Sequence, residues 1–309
     1  MTDAVREMHA MLAPSADPAS LAYQAIQVPD PGPGELLVQV RATAVTAGEL
    51  DWPETWPAIP CHDLSGVVTA AGEGVTGWRA GDEIYALIGF DRPGAAAEYV
   101  TVPAADVAAK PSTLSHEEAA AVPLGALTAW QALHDHASLH AGQHVLVHGG
   151  AGGVGGYAVQ LAAHAGAVVT ATASARDAGF VADLGARRVI DYTSRFEDQV
   201  RDVDIVIDPV GGEVMTRSWP VLRPGGTLVA IAEPPGDKAP GRPDTTGVYF
   251  VVEPNGTQLR ELARQIDNHQ LRPLVADTLE LTALSQAFGA QRQRRAPGKI
   301  VISLAPRRR

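Results

Sequence analysis

One run restricts the fold of this chain more than any other: Val145-Leu-Val-His-Gly-Gly-Ala-Gly-Gly-Val-Gly-Gly156. Three branched apolar residues read as a buried parallel strand. They lead into a segment, 149–156, in which only Ala151 and Val154 are not glycine. An apolar stretch with helical spacing follows, at Tyr157, Val159, Leu161, Ala162 and Ala165. Inside the run, Gly150, Gly152 and Gly155 satisfy G-x-G-x-x-G, with Gly153 and Val154 in between. The first glycine permits a tight turn, the second lets a pyrophosphate approach the backbone, and the third packs helix against strand. N–H groups at the start of the new helix then face the phosphates. The glycines alone are a weak signal; a strand before and a helix after are the confirming context. Gly150 and Gly152–Gly155 are therefore expected cofactor contacts of a dinucleotide-binding turn. The alternative is an ordinary glycine-rich turn in an α/β protein.

The rest of the chain supplies the setting. Before residue 115, short strand-like runs alternate with Gly/Pro turns: Leu36–Ala42 after Pro31-Gly-Pro-Gly34, then Ser65–Ala70, Glu83–Ile88 and Ala97–Val102. That spacing predicts an antiparallel, partly closed β domain. Ser115 and Glu118 form a capping-box pattern that opens a helix. Strand and helix then alternate, with strands predicted at Val145–Val147, Val168–Ala171, Arg188–Ile190, Ile205–Ile207 and Thr227–Ile231, which implies a doubly wound parallel sheet. The segment Glu233–Asp244 reads as loop. Beyond it come a strand at Val248–Val252, a helix at about Thr257–Asn268 and a final strand at Lys299–Leu304.

With 309 residues, one or two domains are expected. A formal charge of −11 argues against nucleic acid or an anionic membrane as partner, and Arg307-Arg308-Arg309 reads as a solvated tail. No apolar run reaches membrane-spanning length and the start has no basic, then apolar leader, so the cytoplasm is the expected location. Cys61 is the single cysteine, which excludes an intrachain disulfide and a cysteine-rich metal cluster.

Taken in order, these motifs resemble the medium-chain dehydrogenase/reductase superfamily, and within it the zinc-free quinone oxidoreductase and enone (alkenal) reductase branch. Pro31–Val40 is similar to that family's opening turn and strand. Gly72-Glu-Gly-Val-Thr-Gly-Trp-Arg-Ala-Gly-Asp82 resembles its G-x-x-V-x-x-x-x-x-G-D signature, and Pro123–Leu133 its nicotinamide-bordering helix. The glycine motif, Ile190-Asp-Tyr192, Asp208-Pro-Val-Gly-Gly212 and Pro297-Gly-Lys-Ile-Val301 complete the order. The resemblance implies a Rossmann-type domain at 116–249 inserted into a GroES-like, mainly antiparallel catalytic domain of 1–115 with 250–309. Its implied partners are a small conjugated carbonyl substrate and, at most, a second copy of the chain as a homodimer.

Zinc-dependent members hold a catalytic ion with cysteine, histidine and a third ligand. Here Gly48 stands at the cysteine position and Gly125 at another ligand position, and the family's four-cysteine loop is absent. The G-H-E ligand motif survives in altered form as Cys61-His62-Asp63. The readings that stay open are a residual zinc site of Cys61, His62 and one carboxylate, or a His62 and Asp63 that form a hydrogen-bonded pair at the domain core or shape the substrate cleft. No metal is expected. Five histidines between His134 and His148 invite a metal reading too, but they span a helix end, a loop and a strand.

An NAD-selective fold needs an acid at the end of the second strand. That strand, Val168–Ser174, ends in small neutral residues; Arg176 follows, and Asp177 falls too late in register to serve. A hydroxyl at Ser174 and the Arg176 fork suit a 2′-phosphate, unless Arg176 is merely a solvated helix-start residue. The resemblance adds Tyr192 as a phosphate contact, Thr128 beside the nicotinamide, and Val210, Ile231 and Phe250 along the cofactor. NADPH is the expected cofactor. For catalysis the resemblance points to Asp51, Trp52 and Tyr249, although Gly48 and Pro53 depart from the usual N-P-x-D-W-K segment, and Phe250 reads equally well as packing. The expected reaction is zinc-independent, NADPH-dependent hydride transfer to a quinone, enone or enal. Reduction of enoyl thioesters or polyketide intermediates, and a structural or sensing role without turnover, are the alternatives.

Overall fold

The element boundaries follow the hydrophobic periodicity closely. The computed structural model describes residues 6–235, 244–293 and 296–304. The chain forms two units, Met1–Leu124 with Glu253–Arg309, and Gly125–Val252. The first begins with a two-stranded antiparallel ribbon, β1 (Glu7–Leu12) and β2 (Ala22–Gln27). β3 (Glu35–Val45) pairs with β4 (Asp63–Ala71), and β4 with β5 (Glu83–Leu87). β6 (Tyr99–Pro103) lies against residues 35–39 of β3, while β7 (Val107–Ala109) pairs with β5. Alternating apolar positions such as Leu36, Val38, Val40, Leu64 and Ile84 supply a buried core, as period-two patterning requires.

α1 (His116–Ala120) starts with a complete capping box between Ser115 and Glu118. Its side chains face the first unit: His116 Nδ1 lies 2.8 Å from Ser65 Oγ, and Ser303 Oγ donates to Glu117 Oε1. The boundary thus falls at 124/125, inside α2 (Pro123–Trp130), rather than at 115/116. Here local contacts outweigh the change of pattern that sequence periodicity follows.

The second unit carries β8 (His144–Val147), α3 (Gly155–His164), β9 (Val168–Ala173), α4 (Ala178–Asp183), β10 (Arg188–Asp191), β11 (Val203–Asp208), α5 (Gly212–Ser218), β12 (Leu222–Ala230) and β13 (Thr246–Tyr249). All six strands are parallel, in the order β10-β9-β8-β11-β12-β13. The order reverses between β8 and β11, and this is the switch point beside which open α/β sheets bind ligands. Leu146, Phe196, Val206, Trp219 and Leu228 belong to one core cluster. β13 ends at Tyr249, so the strand expected at Val248–Val252 is shifted towards the N-terminus. Residues 236–243 of the expected Glu233–Asp244 loop, and Arg307–Arg309, lie outside the described residues.

The chain then returns to the first unit. α6 (Gly256–Asp267) is capped by Asn255, whose Oδ1 accepts from the Thr257 and Gln258 N–H groups. It buries Leu259, Leu262 and Ile266, each worth about 1.5–3 kcal/mol on full burial. Tyr85 donates its hydroxyl to the Leu259 carbonyl at 2.5 Å. β14 (Val275–Glu280), α7 (Leu284–Gln293) and β15 (Lys299–Ser303) follow. β15 runs antiparallel to β3 and parallel to β14, so the sheet β14-β15-β3-β4-β5-β7 is mainly antiparallel with one parallel edge. β2 and β14 carry no strong sequence signal, since their faces are largely polar or exposed.

Candidate functional site

In the second unit the expected cofactor residues gather at the carboxyl ends of the parallel strands. The glycine turn follows β8. Gly149 adopts φ 61°, and the Gly150 N–H donates to the Thr172 carbonyl of β9 at 2.8 Å. A Cβ at Gly155 would stand 2.3 Å from the Gly149 carbonyl oxygen, and one at Gly150 would stand 2.9 Å from Val181. These two glycines are required by the turn itself. Gly152 differs: its φ is not positive, and an added Cβ would meet only the Gly149 oxygen, at 3.1 Å. A side chain there asks the turn to give by only a few tenths of an ångström, far less than at Gly155, so the fold alone makes a weaker demand for glycine at 152. That cradle fits a pyrophosphate. Gly125 is explained the same way, because its Cβ would lie 2.1 Å from the Gly153 carbonyl oxygen. The residue at this ligand-like position is glycine so that α2 can press on the turn, a constraint that sequence spacing does not reveal. Thr128, one turn further along α2, is buried.

The end of β9 departs from expectation. Ser174 caps a short 3₁₀ turn at Ala175–Asp177, which folds Asp177 back against the strand end. Ser174 Oγ donates to Asp177 Oδ2 at 2.7 Å, and Arg176 reaches the same carboxylate at 3.1 and 3.4 Å. The Asp177 carboxylate therefore lies beside Ser174, the residue that follows β9. Hydrogen bonds from Arg176 and Ser174 outweigh its partial burial and hold its pKa below the usual value. Tyr192, at the end of β10, is exposed, and its N–H donates to the Ala173 carbonyl.

At the end of β11, Asp208 is buried and its Oδ1 accepts from the Val210 and Gly211 N–H groups, fixing the Val210 turn. Burial raises its pKa. Ile231 donates its N–H to the Asp208 carbonyl. Phe250 is buried with its ring 4.3 Å from that of His136, so packing accounts for it locally. Tyr249 is exposed.

The histidines do not converge. His134 packs at a tilt against Trp130, His144 Nε2 meets Thr170 Oγ1, and His148 bridges Thr172 and Ser218. Burial pushes His148 down to about 3, which keeps it a neutral element of the core. Among the described residues, no group of three or more His, Cys, Asp or Glu side chains is placed to hold a metal ion.

In the first unit, Asp51 and Trp52 lie at the end of a 3₁₀ turn, Glu49–Asp51, that follows Gly48 at φ 78°. Both are exposed. Trp52 packs edge-on against Phe90, with ring centroids 5.0 Å apart, and Phe90 against His62 at 5.2 Å. His62 is buried, its Nδ1 has no hydrogen-bond partner, and desolvation lowers its pKa to about 4. The expected His62–Asp63 pair does not form. Asp63 instead binds the Lys299 ammonium and accepts from the Leu124 N–H at 2.7 Å. Desolvation nevertheless raises the Asp63 pKa.

Beneath the turn, Glu49 is fully buried and accepts from the Thr46, Cys61 and His62 N–H groups. Burial outweighs these bonds and raises its pKa to about 7. Cys61 is buried at φ 71°, and desolvation pushes its thiol pKa up, away from the thiolate that a metal would need. The two buried carboxylates near Gly48 are therefore committed, Glu49 to backbone and Asp63 to lysine, which leaves His62 as an open nitrogen without a set of ligands around it among the described residues. Sequence reading missed Glu49, Lys299 and Phe90; Lys299 and Asp63 are 236 residues apart and no local pattern links them.

Comparisons with known proteins bear out the two-unit dehydrogenase fold. Residues 32–112 match the alcohol dehydrogenase GroES-like domain, and residues 184–302 match the zinc-binding dehydrogenase family. A 2-methylene-furan-3-one reductase of Solanum lycopersicum is 34% identical, over 91% of this chain and 74% of its own length. A probable mitochondrial zinc-binding oxidoreductase of Arthroderma benhamiae is 32% identical, over 89% of this chain and 91% of its own. The solved quinone oxidoreductase from Coxiella burnetii superposes with a TM-score of 0.88 at 28% identity, covering 97% of this chain and 100% of that one.

Proposed function

We propose that this chain, which belongs to the medium-chain dehydrogenase/reductase superfamily, is a zinc-independent, NADPH-dependent reductase of conjugated carbonyls such as quinones, enones or enals. The observation that carries the reading is the commitment of both buried carboxylates in the first unit, which leaves His62 without companion ligands. Alcohol oxidation needs an alkoxide stabiliser, commonly a Lewis-acid metal. Here Gly48 offers no ligand, Glu49 holds three backbone N–H groups and Asp63 is tied to Lys299. A conjugated carbonyl accepts hydride at carbon while its charge spreads towards oxygen, so ordinary hydrogen bonds suffice. Relatives named for a methylene-furanone and a quinone support the acceptor class.

When bound, the nicotinamide supplies the hydride. The chain's residues bind and orient. In this reading Gly150 and Gly152–Gly155 receive the pyrophosphate, and Ser174, Arg176 and Tyr192 the 2′-phosphate. Thr128, Val210, Ile231 and Phe250 line the remainder. Asp51, Trp52 and Tyr249 act on the acceptor side, where the half-exposed indole suits a flat, conjugated molecule. The edge strand β13 is where a second copy would join the sheet in a homodimer. No described helix is long and apolar enough to cross a membrane, and a cytoplasmic location belongs to the proposal. The test is metal-depleted protein. NADPH oxidation with a benzoquinone or an enal should persist after chelation, whereas activity lost to chelation and restored by zinc overturns the reading.

A further inference from the structure

The two side chains at the end of β9 proposed for the 2′-phosphate already share an anion. Ser174 Oγ lies 2.7 Å from Asp177 Oδ2, while Arg176 Nε and Nη2 lie 3.1 and 3.4 Å from the same carboxylate. The Asp177 N–H in turn donates to Ser174 Oγ at 3.2 Å and to the Ser174 carbonyl at 3.0 Å, which closes the turn. The Asp177 side chain is only 13% exposed, whereas that of Arg176 is 62% exposed. The acid is the fixed member and the guanidinium the adjustable one.

We propose that Asp177 is a specificity-determining residue, a built-in competitor of the 2′-phosphate that keeps NADH in use beside NADPH. The inference rests on the reading of Ser174 and Arg176 as phosphate ligands. A hydroxyl carries one hydrogen, so Ser174 gives its proton either to Asp177 or to a phosphate oxygen. A phosphate oxygen accepting from Ser174 or Arg176 at about 2.8 Å would sit within roughly 6 Å of the Asp177 carboxylate. Two like charges at that separation repel by a few-fold in affinity per unit charge even at the dielectric constant of water. A phosphate monoester with nearly two charges is therefore weakened about tenfold. The ribose of NADH brings no phosphate; its 2′-hydroxyl is a donor, and a carboxylate at the end of the second strand is its usual partner. The same carboxylate thus opposes one cofactor and assists the other. A purely local role, capping the short turn, would affect both cofactors equally.

The discriminating measurement is the pair of dissociation constants for NADPH and NADH, read by the fluorescence of the bound cofactor, in wild type, Asp177→Asn and Asp177→Ala. Thermal unfolding of each protein is followed in parallel. In both variants the ratio of the NADH to the NADPH constant should rise about tenfold, through tighter NADPH and weaker NADH. A ratio within twofold of wild type, or one that moves towards NADH, overturns the proposal and leaves Asp177 as a turn cap. Asp177→Asn keeps the shape and one acceptor oxygen, so it carries the test if Asp177→Ala does not fold. The wild-type ratio separately reports the NADPH reading. A wild type that prefers NADH contradicts that reading, while a tenfold shift in the variants still upholds the role of Asp177.

Discussion

At the carboxyl edge of the parallel sheet, the charged groups are close in sequence: Arg176 and Asp177 are neighbours, the arginine side chain 62% exposed and the acid 13%. In the first unit, Lys299 and Asp63 meet across 236 residues, with side chains 3% and 0% exposed. The same chemistry serves different ends. A pair whose arginine is mostly in solvent contributes little to stability and is available to tune ligand affinity. A buried pair is costly to break, because either partner left alone is an uncompensated charge. Mutations at the first region should therefore move binding, and mutations at the second should move folding.

The sharpest way to break the comparison is Lys299→Met. It leaves Asp63 buried without its cation, and urea unfolding should show a loss of about 3–5 kcal/mol. An unchanged midpoint would mean that the pair does not organise the first unit. The glycine turn provides the next largest contrast. Gly155→Val forces a side chain into the Gly149 carbonyl and should cost at least about 2 kcal/mol of stability as well as cofactor binding. Gly152→Val should remove cofactor binding with a smaller loss of stability than Gly155→Val, because its Cβ meets the Gly149 oxygen at 3.1 rather than 2.3 Å and its φ is not positive. Near-normal NADPH fluorescence enhancement with Gly152→Val would place the pyrophosphate elsewhere.

The buried carboxyl of Glu49 gives a third test, with a defined sign. Its folded pKa of about 7 stands above the ordinary 4.5, so the folded state keeps a proton that the unfolded chain releases. Its contribution is complete below pH 4.5 and is lost as pH rises towards 7. His62 works in the opposite direction, since its pKa falls from 6.5 to about 4 and its contribution is lost as pH falls through that window. Against Glu49→Gln, the wild-type stability should therefore decline between pH 4.5 and 7, by on the order of 3 kcal/mol. A constant difference between the two proteins across that range would refute the titration. The smallest effect belongs to the exposed region. Arg176→Ala should lower the preference for NADPH over NADH by about tenfold, with no measurable change in unfolding. Equal loss of both cofactors would remove Arg176 from the phosphate site.

The same contrast explains what could be read from the sequence. The glycine run, the capping box at Ser115 and the alternating strands are encoded by residues within a few positions of one another, and their elements appear where periodicity places them. The domain boundary moved because His116 and Glu117 bond to Ser65 and Ser303, partners that no local pattern names. The Ser174–Asp177 contact escaped for a related reason: register along a strand does not anticipate a 3₁₀ turn that brings the next acid beside the strand end. Glu49 and Lys299 look like surface residues in the sequence. Only the folded sheet turns them inwards, and in doing so it replaces the expected His62–Asp63 pair with Asp63–Lys299. Asp51, Trp52 and Tyr249 remain proposals drawn from motif position.

The central claim is that this oxidoreductase reduces conjugated acceptors without a metal. The most direct measurement offers NADPH with quinones and enones, and NADP⁺ with primary and secondary alcohols, to the same preparation. The account predicts steady NADPH oxidation with the conjugated acceptors and no significant turnover of the alcohols. Robust alcohol oxidation without quinone or enone reduction would contradict it.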